Sequence, residues 1–203
     1  MHGTWCSQSH NAEYPTDSWN LYCLLDSAST VLNIDVSSNP NPLTIFKPFE
    51  RRLDPNPFII SDADEEILIS VRFIAPSNIR KIMIIGHGPV GNHPSRLKCY
   101  VNKENIDFTN IGDIRPSQEF TLPVNERGDI ELLTQINQFT NVNTLVLYFP
   151  TNYGADNTAV QYIGLQGDHS HAKREAVIAT YELIDSRVGS KLTGEFSPSN
   201  ILG

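Results

Sequence analysis

The sequence predicts an all-β domain, a sandwich or barrel, on three observations: apolar residues that alternate with period two, the recurrence of such runs along the chain, and turn-forming residues between them. The clearest run is Ile67, Ile69, Val71 and Phe73, with Ser70 and Arg72 turned to the other face, which is the pattern of a half-buried strand. Similar runs follow at Ile79 to Ile85, Leu97 to Val101, Phe120 to Leu122, Ile130 to Ile136, Thr144 to Phe149, Val160 to Leu165 and Val177 to Leu183. The connectors carry turn chemistry: Pro76-Ser77-Asn78, Gly88-Pro89, Asn92-His93-Pro94, Asn125 to Gly128, and Asn152 to Asp156.

Before the first clear strand the signals are mixed. Leu21, Leu24, Leu25, Ala28, Val31 and Leu32 could line a helix face, or Leu21 to Leu25 could be a first strand; propensity alone does not settle so short a run. Between Ile34 and Asn56, prolines 40, 42, 48 and 55 forbid long helix and central strand alike, so this stretch is expected to wrap the sandwich as irregular loop. Residues 1–18 and 186–203 read as tails around one domain at 19–185, a size that buries a substantial core unaided.

Composition narrows the function. The formal charge of −8 has the wrong sign for clamping phosphate backbones, so nucleic acid is not expected as a partner. No apolar run approaches the roughly 20 residues that span a bilayer, and the start lacks signal-peptide order, so a soluble, unsecreted protein without membrane partners is expected. Cys6, Cys23 and Cys99, odd in number and widely spaced, read as reduced thiols rather than a disulfide framework, and no Asn-x-Ser/Thr sequon occurs; both fit the cytoplasm or nucleus.

Candidate chemistry is thin. Gly86-His87-Gly88-Pro89-Val90-Gly91 spells the glycine pattern of a dinucleotide site, but that site needs a helix opening from the glycines, and here Asn92, Pro94 and Ser95 lead into another strand-like run. A flexible hairpin loop is expected instead, and no cofactor. No G-x-S-x-G elbow singles out a nucleophile, Trp5-Cys6 lacks the second cysteine of a redox pair, and no catalytic residue is expected. His2, Cys6 and His10, and His169 with His171, lack the paired spacing of a zinc site, so no metal is assigned. Asp62, Asp64, Glu65 and Glu66 crowd four carboxylates before an apolar strand and form a candidate binding surface; a calcium site there would need about six to eight converging oxygens, and the run does not show whether Asp156 or Asn152 converges on it.

Several ordered pieces resemble the PITH domain family, named for thioredoxin-like proteins that interact with the proteasome. They are Ile45 to Asp54, Phe58 through Asp62 to Glu66, Pro94-Ser95, Gln118-Glu119, Phe139 to Val142, Asn152 to Thr158, Tyr162 to Gly167, and Lys173 to Val177 with Tyr181-Glu182. The resemblance implies a jelly-roll β-sandwich similar to galactose-binding-like domains, and makes Leu21 to Leu25 an opening strand. Phe49 stands where the family usually has Trp, and Ile34 where it usually has an acidic residue. No thioredoxin domain precedes the match, so the chain is similar to the stand-alone members, whose His- and Cys-bearing start His2-Gly3, Cys6 and His10 echo.

The resulting expectation is a monomeric, non-enzymatic protein-interaction module, with the 26S proteasome regulatory particle as the partner the resemblance implies. Its binding face is expected on loops at one end of the sandwich, at Asp62, Asp64, Glu65 and Glu66 and at Asn152, Tyr153, Asp156 and Asn157. The alternative is a small-ligand or carbohydrate-binding domain, for which Tyr153 is the one evident loop aromatic beside polar neighbours.

Overall fold

The structure is a computed structural model and describes residues 19–169. Its strands are β1 (Thr30–Leu32), β2 (Ile59–Ile60), β3 (Ile67–Gly86), β4 (Arg96–Val101), β5 (Gln118–Thr121), β6 (Leu132–Leu133), β7 (Val142–Phe149) and β8 (Ala159–His169). The expected tails and the run Val177 to Leu183 lie outside the described residues.

The runs Ile67–Phe73 and Ile79–Ile85, expected as two strands with a turn at Pro76-Ser77-Asn78, are one 20-residue strand. Its first half lies between β1 and β7, with Ser70 opposite Thr30 and Val146. The second half lies between β6 and β8, with Ile82 opposite Leu132 and Leu165. One layer therefore runs β1-β3-β7-β4-β5 and the other β6-β3-β8-β2, with β3 shared at the corner. Ser77 is the pivot: it faces Val142 of β7 and His169 of β8 and is fully buried. Pro76 is tolerated because pairing with β7 breaks between Arg72 and Ser77, where no ladder bond is asked of it.

The core fills the space between the layers. Ile67, Ile69, Val71, Phe73 and Ile79 keep odd parity on the inner face; the register shift at Arg80 then moves Ile82 and Ile84 inward and frees Met83 and Ile85 for the outer face. Each such side chain, buried, contributes roughly 1.5–3 kcal/mol over its exposed state. Neither outer face is left bare: Ile106 and Ile111 cover Leu68, Tyr100 and Val146, while Trp19, stacked on Phe49 at 5.6 Å, covers Met83, Ile85 and Tyr162. The architecture is the all-β jelly-roll sandwich expected.

Other elements depart from expectation. Leu21–Leu24 is a 3₁₀ turn, not an opening strand, because Leu21 plugs the core at 1% exposure and only Leu25 bridges β3, opposite Phe73. Strand structure within Ile130 to Ile136 is confined to Leu132–Leu133. The glycine-rich loop after β3 is not a hairpin, since β7 lies between β3 and β4. The proline-rich 34–56 stretch is irregular as expected, with 3₁₀ turns at Pro42–Ile45 and Phe49–Arg51. Cys99 is a buried free thiol, its ionisation suppressed by burial, whereas Cys23 is disulfide-bonded, which corrects the reading of reduced thiols.

Candidate binding surface

Because β3 turns the corner and returns, its two ends meet at one end of the sandwich, Ile67 opposite Phe149 and Gly86 opposite Val160. The loops 61–66, 87–95 and 150–158 converge there. The two candidate clusters, far apart in sequence, are thereby joined: Asn157 Nδ2 donates to the Ser61 carbonyl at 2.8 Å, and Thr158 Oγ1 donates to the Glu65 carbonyl at 2.6 Å.

The structure divides the candidates by what their side chains already do. Asp64 Oδ1 accepts from Asn33 Nδ2 at 2.6 Å and from the Glu66 amide at 3.0 Å, and Glu66 Oε1 accepts the Tyr148 hydroxyl at 2.8 Å. Burial, with Glu66 beside it, raises the Tyr148 phenol above its ordinary range, so it stays a donor. Asn152 Oδ1 accepts from the Gly154 and Ala155 amides and its Nδ2 donates to the Ala155 carbonyl, an Asx turn that shapes the loop. Tyr153 is 43% exposed, yet its hydroxyl donates to the Leu122 carbonyl at 2.6 Å. By contrast, the carboxylates of Asp62, Glu65 and Asp156 make no side-chain hydrogen bond or ion pair among the described residues, and Asp62 and Asp156 are exposed.

The braces that hold this surface were not singled out from sequence. Asn33, with a φ of 58°, also donates to the Glu66 carbonyl and accepts from the Ala63 amide. Its sequence signal is its residue type alone, since Asn tolerates left-handed backbone. Asn92 Nδ2 donates to the Asn157 carbonyl at 2.8 Å, tying 87–95 to 150–158. His93 is 3% exposed; its ring packs on Gly86 and its Nε2 lies 3.2 Å from the Gly88 carbonyl.

The glycine motif builds no cradle for a pyrophosphate: Gly88 takes a φ of 75°, Val90–Asn92 is a single 3₁₀ turn, and the next element is β4. Among the described residues no group of three or more His, Cys, Asp or Glu side chains converges as for a metal. His2, Cys6, His10 and His171 lie outside the described residues.

A model of the PITH domain matches residues 11–185. The chain belongs to the PITH domain family. It is 38% identical over 177 residues to PITH domain-containing protein 1 of Dictyostelium discoideum, covering 87% of this chain and 86% of that one. Against the Homo sapiens protein of the same name the figures are 37% over 139 residues, 68% and 65%. Solved structures similar to this PITH domain include a CBM32-5 domain from Clostridium perfringens in complex with GalNAc-β-1,3-galactose, at a TM-score of 0.51, 11% identity and coverage of 72% and 98%. The CBM32-1 and CBM32-2 domains of ZmpB from the same organism, in complex with GalNAc, also align at 0.51 and 11%, covering 72% and 35%. At such identities the likeness shows the galactose-binding-like fold alone.

Proposed function

We propose that this PITH domain is a non-enzymatic protein-interaction module that meets its partner with the loop end of the sandwich. The carrying observation is the division of labour at that end: Asn33, Asn92 and Asn157 tie the loops together and Asn152 shapes one of them, while Asp62, Glu65 and Asp156 keep their carboxylates unengaged among the described residues. A rigid surface with unspent charge loses little entropy on docking and steers a basic partner by its field. The partner that family membership suggests is the 26S proteasome regulatory particle, met by a monomer in the cytoplasm or nucleus.

The test is affinity capture of the tagged full chain from native lysate at moderate salt, beside an Asp62→Lys/Glu65→Lys variant. Asp64 is left intact because its carboxylate holds Asn33 and the Glu66 amide. Regulatory-particle subunits retained by the native chain and lost by the variant support the proposal. Equal retention by both overturns the assignment of the surface, and absence of those subunits overturns the partner.

A further inference from the structure

Away from the loop end, a groove of about 700 Å³ opens between the Tyr22–Ser27 stretch and the 41–57 stretch. That is the size of a pocket for a short peptide segment or a small molecule. Its walls combine apolar side chains, among them Leu25, Leu43 and Phe46, with Lys47 and Arg51. Lys47 belongs to the Ile45–Asp54 motif, yet the loop-end surface makes no use of it.

Lys47 is 5% exposed, and its Nζ donates to two backbone carbonyls, Asp54 at 2.7 Å and Pro57 at 3.5 Å. Among the described residues no carboxylate forms an ion pair with it; the nearby Asp54 carboxylate is taken by Arg51 Nε at 2.8 Å. Desolvation pulls the Lys47 ammonium below its ordinary range, against the field of Asp54. An ammonium that donates to two carbonyls has a third N–H left to give and no carboxylate in direct contact among the described residues, and an arriving anion gains from both. Lys47 and Pro57 both line the groove. The carboxylate that does line the groove, Asp26, is folded into its own turn, accepting from the Ala28 amide at 2.9 Å.

We propose that this groove is a second docking site, which receives an acidic, apolar peptide segment of a partner with its carboxylate at Lys47 and its apolar side chain against Leu43 and Phe46. The complement is chemical: a lysine with no ion pair among the described residues, beside the apolar side chains of Leu43 and Phe46 on the groove wall, selects an anion carried on an apolar stem.

The probe is 4-phenylbutyrate against its neutral analogue 4-phenylbutyramide, titrated into the full chain and followed by amide chemical shifts. The acid is expected to move the Tyr22, Phe46 and Lys47 resonances with half-saturation in the millimolar range and the amide at least tenfold more weakly. In Lys47→Met the tenfold preference disappears, and in Asn41→Trp, which fills the groove from its exposed rim, both probes weaken together. Equal response of the native chain to acid and amide, no response to either, or a preference that survives Lys47→Met overturns the proposal.

Discussion

The two ends of this sandwich solve the same problem with the same residue type and leave opposite surfaces. At the loop end Asn33, Asn92, Asn152 and Asn157 replace ladder hydrogen bonds that loops cannot make. At the corner end Asn78 and Asn102 do likewise: Asn78 Oδ1 accepts from the Asn141 amide, and Asn102 Oδ1 accepts from the amides of Asn143 and Thr144. The corner consumes its charge, since Asp168 accepts from Asn78 Nδ2 at 2.6 Å and from Arg80 at 2.8 Å. The loop end leaves three carboxylates unspent. Bracing at both ends serves the fold; only the unspent charge is available to a partner.

A large effect that would sharpen this comparison is at Gly86, where an added Cβ would fall 2.4 Å from the His93 ring. Gly86→Ala is expected to destabilise by about 3 kcal/mol, and Gly112→Ala, whose Cβ meets nothing within 4 Å, by under about 0.5 kcal/mol. Chemical denaturation measures both, and equal midpoints would break the idea of a tightly packed loop end. Next in size, Asn33→Ala and Asn78→Ala should each lose about 2 kcal/mol in the same assay, because each leaves several part-buried polar partners unpaired and Asn33 also holds left-handed backbone. A large loss at one end only would show that the braces are not equivalent.

Smaller still is the acid sensitivity of the corner. Burial raises the Asp168 carboxyl, but hydrogen bonds from Arg80 and Asn78 outweigh it and hold the group below the ordinary carboxylate range. The folded state therefore binds this proton less readily than the unfolded chain. The stabilisation is present above about pH 4 and lost as pH falls through the lower folded value. With the Arg80 side chain 53% exposed it amounts to under about 1 kcal/mol. Asp168→Asn should flatten the stability profile between about pH 2 and 5 by that amount, as thermal melts at stepped pH would show; an unchanged profile would place the acid-sensitive group elsewhere. The smallest expected effect is on the fold of Asp62→Lys/Glu65→Lys, within about 0.5 kcal/mol of native, since neither side chain is engaged. A larger loss would mean that this charge, too, is structural.

What the sequence determined by itself was periodicity and family. Odd-position burial from Ile67 to Phe73 follows directly from the alternation, and the motif pieces from Ile45 to Gly167 named the fold before any contact was known. Of the candidate surface, the placement of Asp62–Glu66 and Asn152–Asn157 at one end was legible, because loops between strands end where strands end. Their separate roles were not: Asp62 and Asp64 look alike in sequence, and only the approach of Asn33 from 31 residues away makes one a brace and leaves the other unengaged. Leu21–Leu25 misled for a related reason, since a short apolar run reads as strand until a pocket in the core claims Leu21. The corner at Ser77 was hidden as well. Pro-Ser-Asn is a turn by local chemistry, and it becomes mid-strand only because β7 and β8 arrive on either side to pair with what flanks it. Alternation is a property of neighbours along the chain, whereas bracing and register belong to neighbours in space, which only the tertiary structure supplies.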